Sequence, residues 1–207
     1  MIAAGFATLG NVINKGPALC TGPPERGAMT MTPETATLMA DYNRWMNQRM
    51  YEAAGRLAES EVTRARGAFF GSILQTLNHI AVADTIWLHR IAQGTDESGL
   101  RTEVARFALP TSLRQEIAGS LAGLRDYRGE LDGLIVQWSR TLTPGRLEAS
   151  LVYRNMAGQA FSRKLGHLVL HFFNHQTHHR GQVSTLLFQA GLDIGVTDLL
   201  AVIPEQA

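Results

Sequence analysis

The chain has 207 residues, of which 45% are hydrophobic and 18% charged, and its formal net charge at pH 7 is +1. That length holds one globular domain with a sizeable core, and the near-neutral charge excludes the strong field with which a protein gathers nucleic acid or an anionic membrane surface. No apolar run reaches the roughly 18 residues of a membrane span, and the single cysteine, Cys20, forbids an intramolecular disulfide and suits a cytoplasmic location.

The first thirty residues are rich in Gly, Pro and Ala and carry no sustained period. They read as a disordered or weakly ordered extension, with Met29 or Met31 as the natural start. No basic segment precedes the apolar residues near Met1, so they do not read as a secretory signal. The folded domain is expected over residues 31–207.

Helical signals begin at Thr32, which offers an N-cap ahead of Pro33 and Glu34. Leu38, Tyr42, Trp45, Met46, Arg49, Met50 and Leu57 then recur at helical spacing, which predicts a first helix from Pro33 to Glu59. Gly67 breaks the chain. Phe69, Ile73, Leu77, Ile80, Trp87, Leu88 and Ile91 form the stripe of a second helix ending near Gly94. A loop follows to about Pro110. Thr111 or Ser112 is the expected cap of a third helix, whose stripe runs from Leu113 through Ile117, Leu121, Leu124, Leu131 and Ile135 to Trp138, with Pro144 closing the region.

Alternation at Leu147, Ala149, Leu151 and Tyr153, followed by the turn-forming RNMAG, predicts a short β-hairpin. A fourth helix is expected from about Ser162 to Ala190, stopped by Gly191, and VTDLLAVI adds one short helix. Four long amphipathic helices in about 180 residues point to an all-α bundle, a fold that places metal and cofactor sites between facing helices.

Five of the seven histidines fall between His167 and Gln182, and His167, His171, His175 and His179 recur every fourth residue. Projection at roughly 100° per residue separates them. Leu165, Leu168, Phe172, Val183, Leu186 and Leu187 define the buried stripe. His179 falls inside it and His175 at its border. His171 and His178 lie further out, and His167 is on the polar side.

Imidazoles rarely enter an apolar stripe without partners for their nitrogens. An i, i+4 pair suits two ligands of one metal ion; it equally suits two core histidines bonded to protein acceptors. A third ligand must come from His79 or His89 on the second helix. His79 projects beside Thr76, Ala83 and Ile86, whereas His89 projects into a more polar sector and reads as a surface residue. Other chemistries lack their motifs: the chain holds no HExxH, no Glu-x-x-His, no GxGxxG or Walker A, no CxxC and no nucleophile elbow. Arg180 and Gln182 flank the pair as structural or substrate-contacting residues, and Tyr42 and Trp45 read as core packing in preference to a pocket wall.

YNRWMNQRM on the first helix, LNHI on the second and HQTHHRGQ on the fourth, with the late TDLL, resemble the DinB (damage-inducible, YfiT-like) superfamily from about Thr32 onward. The resemblance implies an up-down-down-up four-helix bundle. It implies a divalent metal ion, of open identity among nickel, zinc, manganese and iron, held by His79, His175 and His179. It also implies a metal-dependent small-molecule enzyme, a thiol S-transferase or hydrolase-like activity using a low-molecular-weight thiol, with a non-catalytic metal-binding or stress-response bundle as the alternative. No catalytic residue is assigned. A homodimer through helical faces suits a bundle of this size; nucleic acid and membrane are not expected partners.

Overall fold

The computed structural model describes residues 31–205. The N-terminal extension expected at residues 1–30, with Cys20, lies outside them. The described chain is mostly helical, with one small antiparallel sheet. In chain order the elements are α1 (Pro33–Ala54), α2 (Glu59–Thr63), α3 (Ile73–Gly94), α4 (Ser98–Val104), α5 (Leu121–Ser139), α6 (Pro144–Glu148), β1 (Ser150–Arg154), β2 (Ala160–Lys164) and α7 (Leu165–Gln189), then a 3₁₀ turn at Leu199–Val202.

Local chemistry sets most of these boundaries. Thr32 caps α1, its hydroxyl accepting from the Thr35 amide at 3.1 Å. The helix ends five residues before the expected Glu59: the amides of Arg56 and Leu57 bond back to Ala53 and Ala54, tightening the last turn at Gly55. The second long helix starts later than Phe69. Gly67 and Gly71 adopt φ of +67° and +92°, and the Ser72 hydroxyl accepts from the Gln75 amide. Phe69 is therefore outside the helix and 74% exposed.

The third long helix begins at Leu121, nine residues after the expected cap. Its capping hydroxyl is Ser120, which accepts from the Gly123 amide. The physical reason lies on α3. The buried amide of Asn78 accepts from the backbone N–H groups of Ile117 and Ala118 and donates to the Ala118 carbonyl. Those bonds hold residues 112–118 against α3 in an irregular path, despite their helical hydrophobic spacing.

The expected hairpin forms, with Ser150 opposite Lys164 and Arg154 opposite Ala160, but it starts only at Ser150: Leu147 lies in α6, which Thr143 caps, and Ala149 ends that helix. The Asn155 side chain accepts from the amides of Ala157 and Gln159, and Gly158 supplies φ +79°. Because β2 continues to Lys164, α7 starts at Leu165 and not at Ser162. Gly94, at the end of α3, lies under β1: a Cβ there would meet Leu151 at 2.4 Å. The expected short helix near the C-terminus is the 3₁₀ turn, and that segment is tied to α1 by Tyr42 donating to the Thr197 carbonyl and Arg49 to the Ile194 carbonyl, each at 2.6 Å.

The long helix α1 packs on α5 and α7, and α3 packs on the same two. Their buried side chains form two apolar clusters. One contains Ala36, Ala40, Leu88, Ile91, Leu131, Ile135, Trp138, Phe172 and Phe173. The other contains Met46, Met50, Ile73, Leu77, Ile80, Leu124, Val183 and Leu187. At mid-helix sits a layer of buried polar residues: Asn43 and Asn47 on α1, Asp84 on α3, Arg128 and Asp132 on α5, Gln176 and Arg180 on α7. Arg128 meets Asp84 at 2.6 Å and Asp132 at 2.9 Å, Asp132 also accepts from Asn43 and Asn47, and Arg180 donates to Asn43. Two guanidinium groups thus balance two carboxylates inside the core, the arrangement that buried charge requires.

Candidate metal centre

Helix α3 delivers His79 and helix α7 delivers His175 and His179, one turn apart on one side of α7. One ring nitrogen from each lies within 4.8 Å of the other two. His79 and His179 are buried and His175 is half-buried. The histidines nearer the polar side stay out of the group. His167, His171 and His178 are exposed. His171 packs edge-on against Trp87, and His178 accepts from the Gln182 amide nitrogen at 3.2 Å.

Hydrogen bonds outside the group decide which nitrogens face into it. The His79 Nδ1 lies 2.9 Å from the Leu113 carbonyl, which can only accept, so Nδ1 carries the proton and Nε2 keeps its lone pair. His179 Nδ1 lies 2.8 Å from Gln182 Oε1, so its proton too is on Nδ1. His179 Nε2 then faces His175 Nε2 at 3.1 Å with a lone pair on at least one side. Such a meeting needs a proton on His175 Nε2, or a shared cation that takes both lone pairs.

The electrostatics favour the unprotonated rings. Burial, followed by the neighbouring imidazoles, drives His175 down to about 3. Burial also lowers His79 and His179, with Leu113 and Gln182 opposing it. At neutral pH the group is three neutral imidazoles, the protonation state in which histidine ligates a metal. The residues fit a divalent ion: three nitrogen donors, two of them oriented by acceptors on their other nitrogens.

The remaining wall is aromatic and cationic. The Phe70 ring stacks on His79 at 3.9 Å between centroids and meets His179 edge-on at 5.5 Å. Arg114 lies over Phe69 and Phe70 and donates to the Phe69 carbonyl. A cleft of about 580 Å³ lies around Glu97, Glu103, Trp138 and Arg146 and is lined by none of the histidines.

The other residues singled out in the sequence take different places. Gln182 is the partner of His179. Arg180 is buried in the polar layer and stacks over Tyr42 at 5.3 Å, and Tyr42 belongs to the apolar core, as expected. Trp45 is half-buried under Arg49. His89 is half-buried, with Nε2 bonded to the Phe107 carbonyl at 2.8 Å. Sequence reasoning missed Leu113 and Phe70. Leu113 acts through its backbone, for which no side-chain signal exists. Phe70 stands in a glycine-flanked segment that reads as helix by spacing alone.

Comparison with known proteins agrees with this picture. Residues 31–206 match the model of the DinB family. The chain is also similar to Protein DinB of Bacillus subtilis (strain 168), 24% identical over 159 residues that cover 76% of this chain and 87% of that protein. With a family match across nearly the whole described chain, the protein belongs to the DinB family.

Proposed function

We propose that this chain binds one divalent metal ion through His79, His175 and His179 and acts with it on a small molecule. The observation that carries this reading is the convergence of one ring nitrogen from each of three neutral imidazoles, two of which keep their inner lone pairs because their protons are held on Nδ1. When bound, such an ion holds water or a thiol deprotonated at neutral pH. The protein's own contribution is orientation: Leu113 and Gln182 fix two rings, and Phe70 covers the third side of the group. A reaction of thiol S-transferase or hydrolase type, with a low-molecular-weight thiol as one substrate, suits an activated nucleophile beside an aromatic wall. The resemblance of HQTHHRGQ and LNHI to the family is what favours the thiol.

The fold belongs to the same proposal. The first apolar cluster joins the start of α1 and α7 to the end of α3 and α5, and the second joins the opposite ends. That pattern supports an up-down-down-up four-helix bundle. No described helix is long and apolar enough to cross a membrane. The single cysteine suits a cytoplasmic location, a homodimer through helical faces suits a bundle of this size, and the near-neutral charge speaks against nucleic acid as a partner.

Elemental analysis of tag-free protein beside the H79A/H175A/H179A variant tests the metal. About one equivalent in the native chain and none in the variant is the expected result. No metal after incubation with nickel, zinc, manganese and iron ends the proposal. A non-catalytic metal-binding or stress-response role is the reading that remains if metal binds but leaves no position open to thiol or water.

A further inference from the structure

Arg90 differs from the other buried or half-buried arginines of α3, α5 and α7. Arg128 meets two aspartates, and Arg180 bonds to Asn43, Gln176 and Thr177. Arg90 is half-buried, and among the described residues it makes neither an ion pair nor a hydrogen bond. Its guanidinium carbon lies 4.9 Å from the Trp87 ring centre and 5.6 Å from that of Tyr153, against two rings that pack on each other at 5.1 Å. These cation–π contacts hold the group in place and leave its N–H groups without a protein acceptor.

That arginine lines a cleft of about 460 Å³ between the C-terminal half of α3, the 109–110 segment and the hairpin. Arg154 also lines it, and no carboxylate does. Ile86, Leu109, Val152 and Met156 give it apolar walls. None of the Arg90 nitrogens is among the buried atoms that lack a partner, so its N–H groups reach the cleft and are open to an incoming anion. The volume lies in the range of small-molecule sites, which pair apolar walls with a few placed polar groups.

We propose that this cleft is a binding site for a small organic anion, a carboxylate or phosphate ester with an aromatic or aliphatic body, in which Arg90 pairs with the anionic group and Arg154 adds charge at the exposed rim. A guanidinium presents a planar fork that matches carboxylate or phosphate oxygens in bidentate fashion. The walls opposite take the apolar body. Arg90 lies eleven residues along α3 from His79, roughly 16 Å at the helical rise. The site therefore binds whether or not the histidines hold a metal.

Isothermal titration of chelator-treated full-length protein tests this with benzoate, phenyl phosphate and the neutral isostere benzyl alcohol. Saturable binding of at least one anion, and none of the alcohol, is expected. Benzoate and phenyl phosphate together tell a carboxylate from a phosphate preference. R90Q is expected to weaken the anion at least about tenfold, as loss of a charge-assisted pair does. R154Q should weaken it only a few-fold. R90K, which keeps the charge and loses the planar fork, should also bind more weakly, and it serves if R90Q does not fold. No binding of either anion up to about 10 mM, equal binding of the alcohol, or unchanged affinity in a folded R90Q or R90K would overturn the proposal. Because metal is removed throughout, failure of the metal reading leaves this result intact.

Discussion

Two polar groups interrupt the apolar core, and they are built in opposite ways. In the mid-helix layer, donors meet acceptors: Arg128 faces Asp84 and Asp132, Asn43 and Asn47 donate to Asp132, and Arg180 reaches Asn43. What is left over there is a few donors, namely the Tyr51 hydroxyl, Arg128 Nε, Gln176 Nε2 and Arg128 Nη2, whose contact with Asp132 is an ion pair without hydrogen-bond geometry. At the histidines, lone pairs outnumber donors. The outer nitrogens of His79 and His179 are satisfied at Leu113 and Gln182, so their inner nitrogens are acceptors, and the one N–H of His175 can serve only one of them. A cluster whose charges cancel within the protein serves folding; one whose converging lone pairs outnumber its donors suits a cation from outside.

The comparison breaks first at Arg128. R128M leaves two buried carboxylates facing one another, and we expect it to destabilise the chain by about 3–5 kcal/mol in urea denaturation. Its folded fraction should keep its metal, because the layer and the histidines share no hydrogen bond in the contacts above. A smaller loss, within about 1 kcal/mol, would mean that the layer is dispensable polar filling.

Metal removal should act on the other cluster. A chelator is expected to lower the stability by about 2.7 kcal/mol relative to protein with free metal at a hundredfold excess over Kd. For a domain of this size that is a fall in Tm of several degrees, at roughly 2–4 °C per kcal/mol. R128M should show the same chelator-induced fall on a lower baseline. The H79A/H175A/H179A variant should show none.

Gln182 sharpens the contrast. It touches no inner nitrogen, yet it holds the His179 tautomer. Q182L should reduce metal affinity about ten- to a hundredfold, the usual effect of losing a partner on the outer nitrogen. Competition with a chromogenic chelator measures it. If affinity were unchanged, the Gln182 contact would be a surface bond without consequence for the ring.

How far the sequence carries this picture depends on where each interaction is encoded. Periodicity of side chains separates His179 and His175 from His167, His171 and His178, because burial on one helix face is a property of spacing. It also places the hairpin, since RNMAG carries its own turn chemistry. Periodicity fails at residues 112–118, where Leu113 and Ile117 keep helical spacing while the backbone bonds instead to Asn78 and His79 on another element. It fails again at Phe69 and Phe70, where positive φ at Gly67 and Gly71 removes them from the helix that their spacing suggests. Both failures border the histidines. The neighbouring residues Asn78 and His79 pin the 112–118 segment and so bring the Leu113 carbonyl to the imidazole, a long-range pairing that no local pattern contains.

The smallest expected effect is on pH dependence, and its sign distinguishes the two clusters. His175 is held down to about 3 by burial, below the 6.5 of an exposed imidazole. Between those values the unfolded chain binds a proton that the folded chain does not. Metal-free protein therefore loses stability from this group as pH falls from 6.5 toward 3, and keeps it in full above. The buried layer leans the other way. Burial raises Asp84 and Asp132 despite Arg128 beside them, so there the folded state binds protons more readily and loses stability as pH rises. The two slopes oppose each other in the same window, so the useful quantity is the difference between the native chain and H175Q, measured by urea denaturation of chelated protein from pH 7 to pH 5. Removing the imidazole should make the fall toward acid shallower. Parallel curves would show that His175 takes up its proton in the folded state as easily as in the unfolded one, and the histidine group would then be an open, solvated cluster and not a site poised for a cation.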